Sequence, residues 1–222
     1  MKKAVLLNLT DPALYIRSLV PPRTPLLAEM EQKAQAGFVS IVEPEVAQLI
    51  YFLAVNNQCQ NVLEIGTGIG YSALWLAEAV APHGGVVTSI ELKPERYAEA
   101  LKYIQRAGQE KTVQLILGDA RELLPTLQPG FDLIFLDAAK AQYLQFLGVC
   151  VDLLRPGGLL IAEDIFYHGM VISGEADCRR NQTITKRLRD FINALMQHET
   201  LTTALIPLGD GIAVSTKRKP GL

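Results

Sequence analysis

Between residues 61 and 163, short apolar runs alternate with longer amphipathic stretches, and this alternation limits the possible folds more than any other feature. The runs 61–65, 86–90, 113–117, 133–137 and 159–163 are apolar on both faces, as strands buried from two sides are. Between them, 71–80, 94–107, 120–127 and 141–154 carry helical spacing. Doubly buried strands separated by helices predict an α/β fold with a parallel sheet and helices on both faces. A further helix is expected at 183–197. Two last runs, 201–207 and 212–216, are joined by Leu208-Gly209-Asp210-Gly211, and Asp-Gly between such runs reads as a hairpin. In front of the alternation, Pro21, Pro22 and Pro25 interrupt the chain and a helix is expected at 26–35. Glu43-Pro44 then opens another helix running to about residue 57, with Pro44 suited to its first turn. Residues 1–43 thus read as a helical cover, and 61–216 as the core of one domain spanning 1–222.

A chain of 222 residues can bury a substantial single core. Its formal net charge of −2 excludes a globally basic nucleic-acid binder but leaves room for a local basic face. In the opening MKKAVLLNLTDP, Asn8, Thr10 and Asp11 interrupt the apolar run before it reaches signal-peptide length. No run of about 18 apolar residues occurs, so no membrane span is expected. Cys59, Cys150 and Cys178 are far apart and odd in number, which fits neither a disulfide framework nor a zinc site. A reducing cytoplasm is the expected compartment.

The sharpest motif is LEIGTGIGYS at 63–72, where a strand enters a turn with Gly66, Gly68 and Gly70 and a helix leaves it. Glycines let a backbone approach a ligand closely, and the carboxyl end of a strand is where open α/β sheets bind one. Glu91 ends the next strand, where a carboxylate can accept both hydroxyls of a ribose. NAD and S-adenosylmethionine (SAM) sites share this much. The dinucleotide fingerprint, however, wants a glycine where Tyr71 stands, and Glu64 sets a carboxylate beside the turn, where it would repel a pyrophosphate. SAM has no phosphate and carries two cationic groups, which favours the methyl donor over an NAD oxidoreductase. Asp119, after the third strand, can accept from an adenine amino group with Ala120 supplying a backbone donor; equally, it can cap the helix that follows.

The fourth strand ends in FLDAAK and the fifth in AEDIFYHG. If these strands are neighbours, Asp137, Glu163 and Asp164 converge with Lys140. Three carboxylates make a hard-cation oxygen site suited to Mg²⁺ or Mn²⁺, which would lower the pKa of a substrate hydroxyl. Lys140, its own pKa lowered by burial and the cation, would take the proton. The bland alternative is that the carboxylates cap helices and Lys140 is solvated. His83, His168 and His198 are isolated, and only His168 lies near enough to line such a site.

Together with IVEPE at 41–45, DAAKAQY at 137–143, LLRPGG and the ending PLGDGIAVSTKR, these motifs resemble the cation-dependent O-methyltransferases that include the catechol and caffeoyl-coenzyme A enzymes. The resemblance spans about residues 29–217, and within the family it is nearest to the bacterial enzymes acting on 5-hydroxyuridine in tRNA. It implies a Rossmann-like class I methyltransferase fold, a seven-stranded, mostly parallel sheet with an antiparallel last strand. It also implies cofactor contacts from Val42, Glu64, Gly66, Ser72, Glu91, Asp119, Ala120 and Asp137, metal ligation by Asp137, Glu163 and Asp164, catalysis by Lys140, and a homodimer. The family's usual Asp-Asn pair is Glu163-Asp164 here, with a longer arm and an extra negative charge.

Arg179, Arg180, Lys186, Arg187 and Arg189 cluster after the fifth strand, and Lys217, Arg218 and Lys219 add a basic end. A basic rim on an acidic protein suits a tRNA substrate, since phosphate contacts supply most of such affinity; it is also what a solvated helix face looks like. Methylation of 5-hydroxyuridine in tRNA is therefore expected. The alternatives are methylation of a small catechol-like phenol and a non-catalytic SAM-binding protein.

Overall fold

The computed structural model describes residues 12–37, 39–219 and 221, so the expectation for residues 1–11 falls outside it. Helices α1 (Pro12–Leu19), α2 (Pro25–Gln35) and α3 (Pro44–Asn56) come first. Strands and helices then alternate through β1 (Asn61–Ile65), α4 (Tyr71–Val80), β2 (Val86–Glu91), α5 (Pro94–Arg106), β3 (Val113–Leu117), α6 (Ala120–Leu123), β4 (Phe131–Leu136), α7 (Tyr143–Leu153) and β5 (Leu154–Ala162). The chain finishes with α8 (Met170–Ser173), α9 (Arg179–Met196), β6 (Leu201–Ile206) and β7 (Ile212–Lys217). The sheet order is β3-β2-β1-β4-β5-β7-β6. Strands β1 to β5 are parallel, and β7 is antiparallel to both of its neighbours, β5 and β6. The expected hairpin is therefore present, and β7 alone runs against the others.

This order sets the position of any site. From β1 the chain builds outward to β3, then returns across the sheet to place β4 on the other side of β1. At such a switch point the loops leaving neighbouring strands diverge and open a crevice at the carboxyl ends. One apolar layer, with Leu27, Val46, Ile50, Leu76 and Ile104, packs α2 to α5 on one face of the sheet. The other, with Phe146, Cys150, Leu188 and Phe191, packs α7 and α9 on the opposite face. Nearly every residue of α4 is buried, because α3 covers the side that the sheet does not.

The departures from expectation have local causes. Helix α1 buries none of its residues, so its sequence has no core-facing stripe to read. It is tied down by Arg17, whose guanidinium meets the buried Glu45 of α3 at 2.7–3.0 Å. Helix α6 stops at Leu123 and passes into a 3₁₀ turn, since Pro125 has no N–H with which to continue an α-helix. Helix α9 begins at Arg179, four residues early, because its first turn is polar and offers no apolar period. Strand β5 begins at Leu154, with an irregular pairing against β4 over the Pro156-Gly157-Gly158 stretch. Cys59, Cys150 and Cys178 are all free, and no helix is long and apolar enough to cross a membrane among the described residues.

Two buried carboxylates are built into the frame. Glu31 of α2 accepts from Arg23 Nε and Nη2, each at 2.7 Å, and from the Tyr71 hydroxyl at 2.7 Å. It thereby fastens the helical cover to the first residue of α4. Glu64, in β1, is fully buried. One oxygen accepts from the Ser89 hydroxyl, which also bonds Thr67 at 2.6 Å, and the other has no hydrogen-bond partner among the described residues. Burial pushes the Glu64 carboxyl from its ordinary 4.5 up to about 8, against the opposing pull of Ser72 and Ser89.

Two outcomes follow from this packing. In Gly66→Ala, the added Cβ would stand 2.1 Å from the Asp137 carbonyl oxygen at a φ of +101°. We expect a loss of about 3–5 kcal/mol in urea denaturation; a loss under 1 kcal/mol would contradict the contact. For Glu64, a folded pKa above the unfolded one means stability is fully present below about pH 4.5 and is lost as pH rises to about 8. Glu64→Gln removes this dependence, so the variant should gain on wild type by roughly 4 kcal/mol between pH 4 and pH 9. A difference that does not vary with pH would refute it.

Candidate active site

Three adjacent strand tips build the first half of the site. After β1 the backbone N–H groups of Gly66 and Thr67 both donate to the Ile90 carbonyl of β2, at 2.9 and 3.2 Å. Gly66, Gly68 and Gly70 all have positive φ, and Gly70 leads directly into α4. At the tip of β2, Glu91 reaches across to this turn. One oxygen accepts from Gly68 N–H at 2.8 Å and the other from Lys93 N–H at 2.9 Å. Each oxygen retains a lone pair for a further donor. After β3, Asp119 caps α6 by accepting from Arg121 N–H at 2.8 Å and also pairs with the Arg121 guanidinium. The capping alternative is realised, and Asp119 still lines the crevice.

One cavity of about 480 Å³ takes in Val42, Gly66, Ser72, Glu91, Asp119, Ala120, Asp137 and Lys140, with Glu163 and Asp164 at its far end. Glu91 and Asp137 thus share a single space, the juxtaposition on which the sequence reading depends. Glu64 is the exception. It lies beneath the glycine turn rather than on the cavity wall, and Ser72, which does line the wall, interacts with it through its hydroxyl.

The second half of the site is an ion cluster. Strands β4 and β5 are neighbours, so Asp137 and Glu163, each one residue past its strand, stand side by side. Lys140 Nζ lies 2.8 Å from Asp137, 3.1 Å from Glu163 and 3.2 Å from Asp164. It also donates to the Tyr143 hydroxyl at 3.0 Å. That hydroxyl reaches the Leu136 and Glu163 carbonyls at 3.0 and 3.1 Å, so it ties the lysine to both strand ends. Burial alone would lower the Lys140 pKa, but Tyr143, Asp137, Glu163 and Asp164 hold it well above its ordinary value. Set among these carboxylates, Lys140 is a charged hydrogen-bond donor. Burial likewise pushes Glu163 up to about 9, and burial with a hydrogen bond to Asp210 pushes Asp164 up to about 7, both against the pull of Lys140. One ammonium offsets only part of the cost of burying these carboxyls, which is why both stay above their ordinary range.

Tyr143 and Asp210 escaped the sequence reading. Tyr143 follows Lys140 at helical spacing and looks like a core aromatic, which it also is, edge-on to Phe191 at 5.3 Å. Asp210 had been read only as a hairpin residue, yet the β7–β5 pairing carries that turn to the tip of β5. There it meets Asp164 and lines the cavity together with His168. Asp164, Tyr167 and His168 all have positive φ, a concentration of backbone strain beside the cluster.

The five basic residues lie on α9, which packs against α7 and the 3₁₀ turn Lys140–Gln142. None of the five lines the cavity. Arg187 donates to the Ala141 carbonyl at 3.2 Å, and Arg189 to the Met170 and Val171 carbonyls at 3.0–3.2 Å. Arg179, Arg180 and Lys186 are exposed.

The first half of the site fits a nucleoside-bearing ligand. Its volume is in the range of small-molecule sites, Glu91 has acceptor capacity left, and Gly68 faces the space with its nearest neighbour, the Ser40 carbonyl, 3.9 Å from where a Cβ would stand. The second half fits a divalent ion in donor chemistry, three carboxylates of the hard-oxygen kind. In arrangement, no three His, Cys, Asp or Glu side chains are disposed as metal ligands among the described residues. The three expected ligands are gathered on the Lys140 ammonium instead.

Known proteins are similar to this chain in sequence and in fold. Residues 23–218 match the sequence profile of the O-methyltransferase family. A catechol O-methyltransferase from Niastella koreensis is 36% identical over 186 residues, covering 82% of this chain and 81% of its own. The O-methyltransferase TomG from Streptomyces achromogenes, solved in complex with SAM, superposes with a TM-score of 0.80 at 25% identity, covering 93% of this chain and 96% of its own. The SAH-bound methyltransferase PaMTH1 of Podospora anserina gives 0.82 at 25% identity, covering 93% of both chains. By the match over residues 23–218 and by its fold, this chain belongs to the O-methyltransferase family.

Proposed function

We propose that this enzyme transfers a methyl group from SAM to an oxygen nucleophile with the help of a divalent cation. The observation that carries the reading is the single cavity with Glu91 and the glycine turn at one end and the Asp137–Lys140–Glu163–Asp164 cluster at the other. Bound there, SAM supplies a methyl group on a sulfonium sulfur, and Mg²⁺ or Mn²⁺ supplies positive charge that favours ionisation of a hydroxyl. Glu91 would accept the ribose hydroxyls, Asp119 and Ala120 would meet the base, and Val42, Gly66 and Ser72 would line the rest of the donor's place. Asp137, Glu163 and Asp164 would supply the oxygen ligands for the cation. Lys140 faces the acceptor oxygen with its ammonium and stabilises the developing negative charge, while the hydroxyl proton leaves to solvent through the open end of the cavity.

For the acceptor, we propose 5-hydroxyuridine in tRNA. The exposed Arg179, Arg180 and Lys186, on the helix that abuts the Lys140 turn, support it by offering phosphate contacts at the rim. A second reading, a small catechol-like phenol, is favoured by the Niastella relative and by the commitment of Arg187 and Arg189 to backbone carbonyls. Both acceptors present two adjacent oxygens, which suits the same oxygen-rich end of the cavity.

Radiolabelled SAM should deliver methyl to the acceptor in the presence of Mg²⁺, with turnover reduced at least about 100-fold in Asp137→Ala and Lys140→Ala. Binding of SAM without any turnover would support a non-catalytic SAM binder instead. Nucleosides of tRNA from cells lacking the gene should accumulate 5-hydroxyuridine without its methyl ether; unchanged nucleosides alongside turnover of a catechol would reject tRNA and favour the phenol.

A further inference from the structure

We propose that the Lys140 ammonium and the divalent cation compete for the same three carboxylates, so that the lysine is the resident counter-ion which the metal must displace. The inference rests on the cation reading above and on the geometry of the cluster. Lys140 Nζ stands 2.8, 3.1 and 3.2 Å from oxygens of Asp137, Glu163 and Asp164. The Asp137 contact is a short charge-assisted hydrogen bond, and the other two are close ion pairs. A magnesium ion draws its oxygens to about 2.0–2.1 Å and demands an octahedral arrangement. Oxygens gathered about an ammonium cannot close on a second centre while that ammonium stays between them, and two cations at such a separation repel strongly in a half-buried site.

The composition of the cluster gives the competition its weight. Asp137, Glu163 and Asp164 bring three acidic side chains together, and Asp210 approaches Asp164 from the hairpin. Without a cation these groups would repel one another, and Lys140 answers that repulsion from within the chain. Its tether permits release. A lysine carries its charge on a flexible four-carbon stem, and this one begins a 3₁₀ turn and lines the cavity, with open space beyond it. Displacement by a metal would move the amine from the carboxylates toward the acceptor. Metal entry and lysine delivery are then one event.

Mn²⁺ affinity of the full chain, measured by electron paramagnetic resonance and by calorimetry, tests this without reference to turnover. Lys140→Met and Lys140→Gln remove the competitor and should bind Mn²⁺ about tenfold or more tightly than wild type. Lys140→Arg keeps a cation in place and should bind no more tightly than wild type. SAM affinity on the same samples reports that the donor half is intact. Mn²⁺ binding that is unchanged or weaker in both neutral variants would overturn the competition while leaving the cation reading standing. No Mn²⁺ binding by wild type or either neutral variant, with SAM binding preserved, would overturn both. Loss of SAM binding in wild type itself would instead count against the methyltransferase reading.

Discussion

The contact between the backbone of Gly66 and that of Asp137 is the constraint on which the rest of the site depends. Strands β1 and β4 are hydrogen-bonded neighbours, yet the chain reaches the second only after building β2 and β3. The loops that leave them therefore part, and the gap between becomes the cavity. Only a residue without a side chain lets the two tips approach so closely. Every element of the donor half is referred to that seam: Glu91 by its bond to Gly68, Ser72 by the helix that the turn starts, and Glu64 by its place beneath it.

Electrostatics divide the cavity into two unlike ends. At the Glu91 end, carboxylate oxygens are satisfied by backbone N–H groups and keep capacity for hydroxyl donors. At the other end one ammonium faces three carboxylates, with a fourth behind them, and burial makes full ionisation costly. The first end is built to receive the hydroxyl groups of a ligand. The second stores an excess of acceptor oxygens that calls for positive charge.

Much of this was legible in the residues, for a physical reason. Strands buried on both faces cannot alternate polar with apolar, so β1 to β5 stand out as continuous apolar runs, and the site residues sit one step beyond them. Asp137, Glu163 and Asp164 could be named because strand adjacency follows from the topology. What stayed hidden depends on tertiary approach. Tyr143 is indistinguishable from a core aromatic until its hydroxyl is seen to bridge two strand ends. Asp210 belongs to a hairpin whose partner strand decides where its side chain arrives. The protonation of Lys140 reflects a sum over groups from separate loops, which no spacing encodes. Arg187 and Arg189 looked like a free basic face because sequence does not reveal which carbonyls an arginine will find.

The wall opposite the sheet is made by the stretch from Ser40 to Glu43, which belongs to no strand and is carried by α2 and α3. Its position is set from outside the sheet, by Glu31 between Arg23 and Tyr71 and by Glu45 with Arg17. The strand tips and this wall are thus separately supported parts of one pocket. A change in how the leading helices seat would reshape the room offered to a ligand while leaving the switch point where it is.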